Sequence, residues 1–87
     1  MKKMTGIDLH SNNLVCGVVD MDGKRLLEKR LPCKLAAVLE ALAPHRDDIV
    51  TVAVESTYNW YWLVDGLRAL SYPMLTAPPA LRHRLRR

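Results

Sequence analysis

The sequence predicts one small α/β domain in which the elements follow the order βββαβαβ. Three observations favour it. Two apolar runs near the N-terminus precede an Asp-Gly turn signal, helix-forming residues fill the middle of the chain, and the apolar run IVTVAV follows them. A chain of 87 residues has room for one domain. Its core must be small, because chains of this size bury only about 60 to 65% of their unfolded surface.

The first three predicted elements are strands. Residues 4–9 and 14–20 are rich in apolar and β-branched side chains, and Asp22-Gly23 then signals a tight hairpin turn. A third strand is predicted over residues 24–31. Pro32 is expected to end it, because proline cannot donate a hydrogen bond to a sheet. We therefore expect three consecutive antiparallel strands.

The middle of the chain predicts a helix followed by a buried strand. Residues 35–43, LAAVLEALA, are strong helix formers with apolar residues at helical spacing, and a proline follows them. A short loop with two aspartates is expected next. Residues 49–54 then form a nearly continuous apolar run, typical of a strand covered on both faces, and Glu55 is expected to end it.

The last elements are a second helix and a short strand. Ser56 or Thr57 is a candidate cap for a helix over about 59–70, in which apolar residues recur at i, i+3, i+4 and i+7. Residues 73–77 are predicted to form a short strand. The domain is therefore expected to span 1–77, and 78–87 to be a basic tail that is disordered or non-native.

Composition narrows the class of protein. No apolar run approaches the roughly 20 residues that a membrane-spanning helix needs, and MKKM lacks the apolar stretch of a signal peptide, so we expect a cytoplasmic protein with no membrane partner. Cys16 and Cys33 form no CxxC motif and lie in apolar or strand-like segments. Reduced, buried thiols are expected in preference to a disulfide or a zinc site.

The net charge of +4 belongs to the C-terminal tail. The last six residues, RHRLRR, contain four of the 13 Lys and Arg, and the other nine equal the nine Asp and Glu. The charge is therefore weak evidence for a DNA-binding face. The tail itself either binds phosphates or is an out-of-frame product, and the residues leave both open.

Two acids are predicted to share one edge of the sheet. Asp8 ends the first strand and Glu55 ends the fourth, and helix-linked parallel strands bring their carboxyl ends together. Two close carboxylates repel one another unless a cation lies between them, and hard oxygen ligands suit Mg²⁺ or Mn²⁺. Such a site can serve phosphodiester chemistry. The alternative is that Asp8 is a turn residue and Glu55 a favourable charge at a helix start.

Two segments carry a resemblance to a known family. GIDLHSNNLVCGVVDMDGKRL, followed at this distance by VAVESTYNWYWLVDGLRAL, resembles the N-terminal domain of the DEDD-type insertion-sequence transposases over residues 4–77. The resemblance implies a ribonuclease H-like (RuvC-like) mixed sheet. It also implies that Asp8 and Glu55 are the first two of four catalytic, metal-binding carboxylates for Mg²⁺ or Mn²⁺. DNA cleavage and strand transfer are the activity it implies.

The resemblance also implies binding partners, and it shows where this sequence departs from the pattern of the family. The family's partners are its element's DNA ends, a target DNA and a guiding RNA. Its two further aspartates and a separate domain with a nucleophilic serine have no counterpart here, since residues 78–87 hold no Asp or Glu. We therefore interpret the chain as a truncated, catalytically incomplete copy.

Two rival functions remain. A Gly-Ile-Asp strand followed by a hairpin also opens actin-like and sugar-kinase ATPase lobes, but those need small residues after the aspartate, where His10 stands. A non-catalytic fragment that self-associates or pairs with a full-length transposase is the other.

Two further features favour an ordinary structural role. His10 is expected to be a solvated residue of a polar loop, because Mg²⁺ prefers oxygen ligands. Of the aromatic cluster Tyr58, Trp60, Tyr61 and Trp62, Trp60 is expected to pack in the core, and Tyr61 and Trp62 are less committed.

Overall fold

The computed structural model describes residues 1–56 and 60–75 and contains one mixed sheet with its helices packed on one face. The strands are β1 (Lys3–Leu9), β2 (Asn13–Asp20), β3 (Arg25–Pro32) and β4 (Ile49–Ser56). The helices are α1 (Leu35–Leu42), a 3-10 helix (Ala43–Asp48) and α2 (Tyr61–Ala69). Every predicted element through α2 is therefore present, in the predicted order.

The sheet order is β3-β2-β1-β4. β1 pairs with β2 and β2 with β3 in antiparallel fashion, as predicted, whereas β1 and β4 are parallel neighbours. Because β1 is central, its carboxyl end is flanked by the start of β2 and the end of β4. This arrangement places Leu9, Leu14 and Ser56 at one edge of the sheet.

A tight turn joins β2 to β3, at the predicted position. Gly23 has a φ of +84°, a conformation that glycine adopts without strain. The Asp20 carboxylate accepts hydrogen bonds from the backbone N–H groups of Asp22 and Lys24, at 3.0 and 2.9 Å. The side chain therefore fixes the turn, which sets the register of β2 and β3.

One apolar core lies between the sheet and the helices. Alternate residues of the strands face it, as expected for a sheet buried on one side. Leu63 and Leu67 of α2 and Val38 and Leu42 of α1 are fully buried against it. The strands contribute Ile7, Leu9, Leu14, Cys16, Val18, Leu31, Ile49 and Val52. α2 also approaches α1 closely, since a Cβ on Gly66 would lie 2.5 Å from Leu35 Cδ2.

β3 ends at Pro32, as expected, although the proline itself is the last residue of this edge strand. The structure corrects three expectations about other elements. The segment after α1 is a 3-10 helix and not a loop, because Pro44 occupies its first turn, where no backbone donor is needed. Ser56 belongs to β4, and α2 begins after Trp60 with no side-chain cap. β4 is packed by helices on one face only within the described residues, and Val50 is 44% exposed.

The end of the described chain adds one short contact to the sheet. Met74 forms an isolated parallel bridge with Val52, and the backbone N–H of Leu75 donates to the Val52 carbonyl. This contact lies where the predicted last strand begins. The rest of that strand, the candidate cap Thr57 and the tail 78–87 lie outside the described residues. Within those residues, no helix is long and apolar enough to cross a membrane.

Candidate metal centre at the ends of β1 and β4

Asp8 and Glu55 lie opposite each other on neighbouring strands. Their Cα atoms are register partners in the parallel pair of β1 and β4, so their backbones are about 4.8 Å apart. Ile7 and Leu9 are buried under the helices, and the alternation of side chains therefore places Asp8 on the opposite face. The Asp8 side chain is 51% exposed, and Glu55 is half-buried. The structure thus brings together the two acids that the sequence singled out.

The row of residues next to the two acids carries almost no side chains. Gly6 pairs with Gly17 on one side and with Ala53 on the other. A Cβ on Gly6 would meet nothing within 4 Å, so no packing contact requires a glycine there. These residues form the floor of an open depression of about 600 Å³, with Asp8 and Glu55 at one end. As far as the described part of the chain shows, a ligand can approach the acids along this floor.

His10 is an exposed residue of the loop between β1 and β2, as expected, and its side chain also contacts Asp8. His10 Nε2 lies 3.2 Å from Asp8 Oδ2, and the two side chains are 52% and 51% exposed. The backbone N–H of His10 donates to the Asn13 carbonyl at 2.8 Å, which fixes the loop between β1 and β2. His10 lies one residue beyond the end of β1, so the i, i+2 spacing of a strand does not by itself predict the contact.

The side chains at these strand ends provide some of the oxygen ligands that a hard divalent cation needs, but not a full set. Asp8 and Glu55 supply carboxylate oxygens, the ligands that Mg²⁺ and Mn²⁺ prefer. The described residues contain no group of three or more His, Cys, Asp and Glu that could hold a metal ion. Glu28, the nearest acid along the glycine row, pairs with Arg25 instead. Within residues 1–56 and 60–75, Asp8 and Glu55 are therefore the two acids that lie opposite each other at these strand ends.

The aromatic cluster lies at the start of α2. Trp60 and Tyr61 stack with ring centroids 4.3 Å apart, and Tyr61 is 61% exposed. Trp60 and Trp62 are half-buried and pack against the core, as expected for Trp60. Tyr58 lies outside the described residues.

The two cysteines differ in environment. Cys16 is fully buried, and burial raises the pKa of its thiol to about 11. Cys33 is only half-buried, which corrects the expectation for it, and its Sγ lies 3.5 Å from the His10 carbonyl. Neither forms a disulfide. Cys16 belongs to the core face of the sheet and not to the face with the acids.

Two similar solved structures identify the fold class of the chain. RuvC from T. thermophilus, in complex with a Holliday junction substrate, is similar to this chain with a TM-score of 0.66 and 20% identity. The match covers 92% of this chain and 66% of the RuvC chain. YeaZ from Pseudomonas aeruginosa matches with a TM-score of 0.55 and 13% identity, over 88% of this chain and 43% of its own. The fold is therefore RuvC-like, that is, ribonuclease H-like.

A family comparison then identifies the family. The model DEDD_Tnp_IS110, described as a transposase, matches residues 5–87. The chain belongs to this family of DEDD-type transposases. No curated protein matches the chain at a significant level. Family membership confirms the resemblance seen in the sequence and favours the transposase over the ATPase lobe.

Proposed function

We propose that this chain provides two of the carboxylate ligands of a divalent metal site for cleavage and joining of DNA. The observation that carries the proposal is the direct pairing of Asp8 and Glu55 at the carboxyl ends of two parallel strands. Ligands bind at this edge of parallel sheets. Family membership supports DNA transposition as the process.

The residues present suit the way in which Mg²⁺ is usually held. Proteins commonly bind Mg²⁺ through one or two carboxylates together with phosphates of the substrate. Asp8 and Glu55 are the two carboxylates, and the open depression beside them, whose floor includes Gly6 and Gly17, leaves room for a phosphodiester. A divalent cation bound here would supply the charge that stabilises a phosphodiester as it is cleaved. The chain's own contribution is to hold two oxygens at a fixed separation.

DNA is the partner that we propose. The similar RuvC structure is a complex with a Holliday junction substrate, and this likeness of fold supports a nucleic acid as the ligand of this chain. Guide RNA, the particular DNA ends and self-association stay predictions from the family resemblance. The match covers 66% of the RuvC chain, and the catalytic incompleteness expected from the sequence stays a prediction.

Isothermal titration with Mn²⁺ tests the proposal. The wild-type chain is expected to bind one ion with a dissociation constant on the order of 1 mM, as for a site with few charged ligands. Asp8→Asn and Glu55→Gln should each abolish this binding. Glu28→Gln is the matched control and should bind as the wild type does, because Glu28 lies on the same face but pairs with Arg25.

Two results would overturn the proposal. One is Mn²⁺ binding that is unchanged in Asp8→Asn and Glu55→Gln. The other is tight binding of MgATP by a chain that binds neither Mn²⁺ alone nor DNA, which would favour the ATPase lobe.

A further inference from the structure

Arg30 lies in the same row of the sheet as the two acids. It is the register partner of Val15 on β2, Val15 is the partner of Asp8 on β1, and Asp8 is the partner of Glu55 on β4. Residues directly opposite one another point to the same face. Arg30 is exposed, and the next residue, Leu31, is buried on the core side. The Arg30 side chain therefore lies on the same face of the sheet as the two acids. Its backbone is two strand spacings, about 10 Å, from that of Asp8.

The Arg30 side chain is oriented by a neighbour on β2. Arg30 Nη1 donates to Asn13 Oδ1 at 2.8 Å. A guanidinium has five N–H donors, so this bond leaves donors for a ligand. No acidic side chain pairs with Arg30 within the described residues, whereas Arg25, on the same strand, pairs with Glu28. Arg30 thus combines a fixed direction with a charge that no described carboxylate neutralises.

We propose that Arg30, oriented by Asn13, binds a backbone phosphate of the DNA strand that passes over Asp8 and Glu55. The inference rests on the proposed function, because the acids define where the strand passes. A guanidinium matches the geometry of a phosphate and can bind it through two parallel hydrogen bonds. Arg30 and Asp8 lie on strands about 10 Å apart, so Arg30 would contact a different phosphate of the strand from the one at the acids. Arg30 would fix the direction of the strand without reading its bases.

The test compares two arginines of β3. Arg30→Gln and Arg25→Gln remove one positive charge each from the same strand, so any loss common to both reports net charge alone. Affinity for a fluorescein-labelled single-stranded DNA oligonucleotide is measured by anisotropy in the presence of Mg²⁺, at several salt concentrations. Arg30→Gln is expected to weaken binding about tenfold and to lower the salt slope by about 0.7. Arg25→Gln should change the affinity by less than about twofold.

Two further variants separate charge from geometry. Arg30→Lys keeps the charge but loses the fork of donors, so it should recover only part of the affinity. Asn13→Ala should weaken binding about twofold to threefold, because Arg30 loses its orientation. Circular dichroism of each variant confirms that it folds, which is expected because Arg25 and Arg30 are exposed and Asn13 is only half-buried. Equal losses in Arg30→Gln and Arg25→Gln, full recovery in Arg30→Lys, or no DNA binding by the wild type would overturn the proposal.

The same measurement in the Asp8→Asn chain keeps this inference distinct from the proposed function. If the acids bind no metal but Arg30→Gln still weakens DNA binding selectively, the metal site fails and the phosphate contact stands. If metal binds at the acids and the two arginine variants behave alike, the phosphate contact fails and the metal site stands.

Discussion

His10 Nε2 lies 3.2 Å from Oδ2 of Asp8, so one of the two paired acids is held by a residue two positions further along the chain. The contact orients one carboxylate oxygen and leaves the other directed elsewhere. Because both side chains are about half exposed, the contact adds little to the stability of the fold, and its main effect is to position the Asp8 carboxylate.

Replacing His10 by alanine should leave the stability of the fold nearly unchanged. Contacts between exposed polar side chains contribute little, so the free energy of unfolding should change by less than about 0.5 kcal/mol. The side-chain carboxyl ¹³C resonance of Asp8 should shift, and that of Asp20, which binds its own turn, should not. Urea denaturation and carboxyl NMR measure the two effects. An unshifted Asp8 resonance would show that the contact does not form in solution.

Replacing Thr5 by valine should stabilise the chain. Thr5 is 3% exposed, and its Oγ1 has no hydrogen-bond partner within the described residues. An unsatisfied buried hydroxyl costs about 1 to 3 kcal/mol, and valine has the same shape without it. We expect a gain of about 1 kcal/mol in the free energy of unfolding. Thr51→Val, at a half-exposed position on β4, is the control and should change it by less than about 0.5 kcal/mol. A destabilised Thr5→Val chain would contradict the burial seen here.

The face of α2 that contacts the sheet should carry most of the helix's contribution to stability. Leu63 is fully buried, whereas Leu70, just after the same helix, is 41% exposed. Leu63→Ala should cost about 2 to 5 kcal/mol, which approaches the whole stability of a small domain. Leu70→Ala should cost less than about 1 kcal/mol. Thermal unfolding of the two variants measures the difference, and similar costs would mean that α2 packs in another orientation.

Cys16 should make the fold sensitive to alkaline pH. Burial raises the pKa of its thiol from 9.0 to about 11. As the pH rises above 9, the unfolded chain loses this proton before the folded chain does, so the free energy of unfolding should fall between about pH 9 and pH 11. In Cys16→Ala that part of the decline should be absent, whereas Cys33→Ala should keep it. The same slope in both variants, measured by denaturation at several pH values, would refute this assignment.

The sequence predicted the order of the strands and helices better than it predicted what caps a helix or packs against a strand. Apolar runs and the Asp22-Gly23 turn signal act locally, so the order of strands and helices followed from them. Which residue caps a helix and what packs on each face of a strand depend on the rest of the fold. The run 49–54 is apolar throughout, but composition cannot show what packs on the second face of β4. Ser56 has the chemistry of a cap, yet pairing with Leu9 keeps it in the strand.

The candidate site was predictable in part for the same reason. Strand ends and parallel pairing bring Asp8 and Glu55 together, and both were visible in the sequence. Arg30 was not, because its place in the row depends on the register of three strands and on the irregular pairing after Val18. Register is set by side-chain packing and turn geometry together, which a short motif does not reveal.

We predict above all that Asp8 and Glu55 hold the same cation. A titration of the ¹⁵N-labelled chain with Mn²⁺ tests it directly, because a paramagnetic ion broadens the amide signals nearest to it. We predict that the signals of Asp8 and Glu55 broaden first and together, that Asp8→Asn prevents the broadening at both residues, and that the signals of Asp20 and Glu28, which lie farther from the two acids, broaden only at higher Mn²⁺ concentration. Broadening that begins at only one of the two acids, or that survives in Asp8→Asn, would contradict the account.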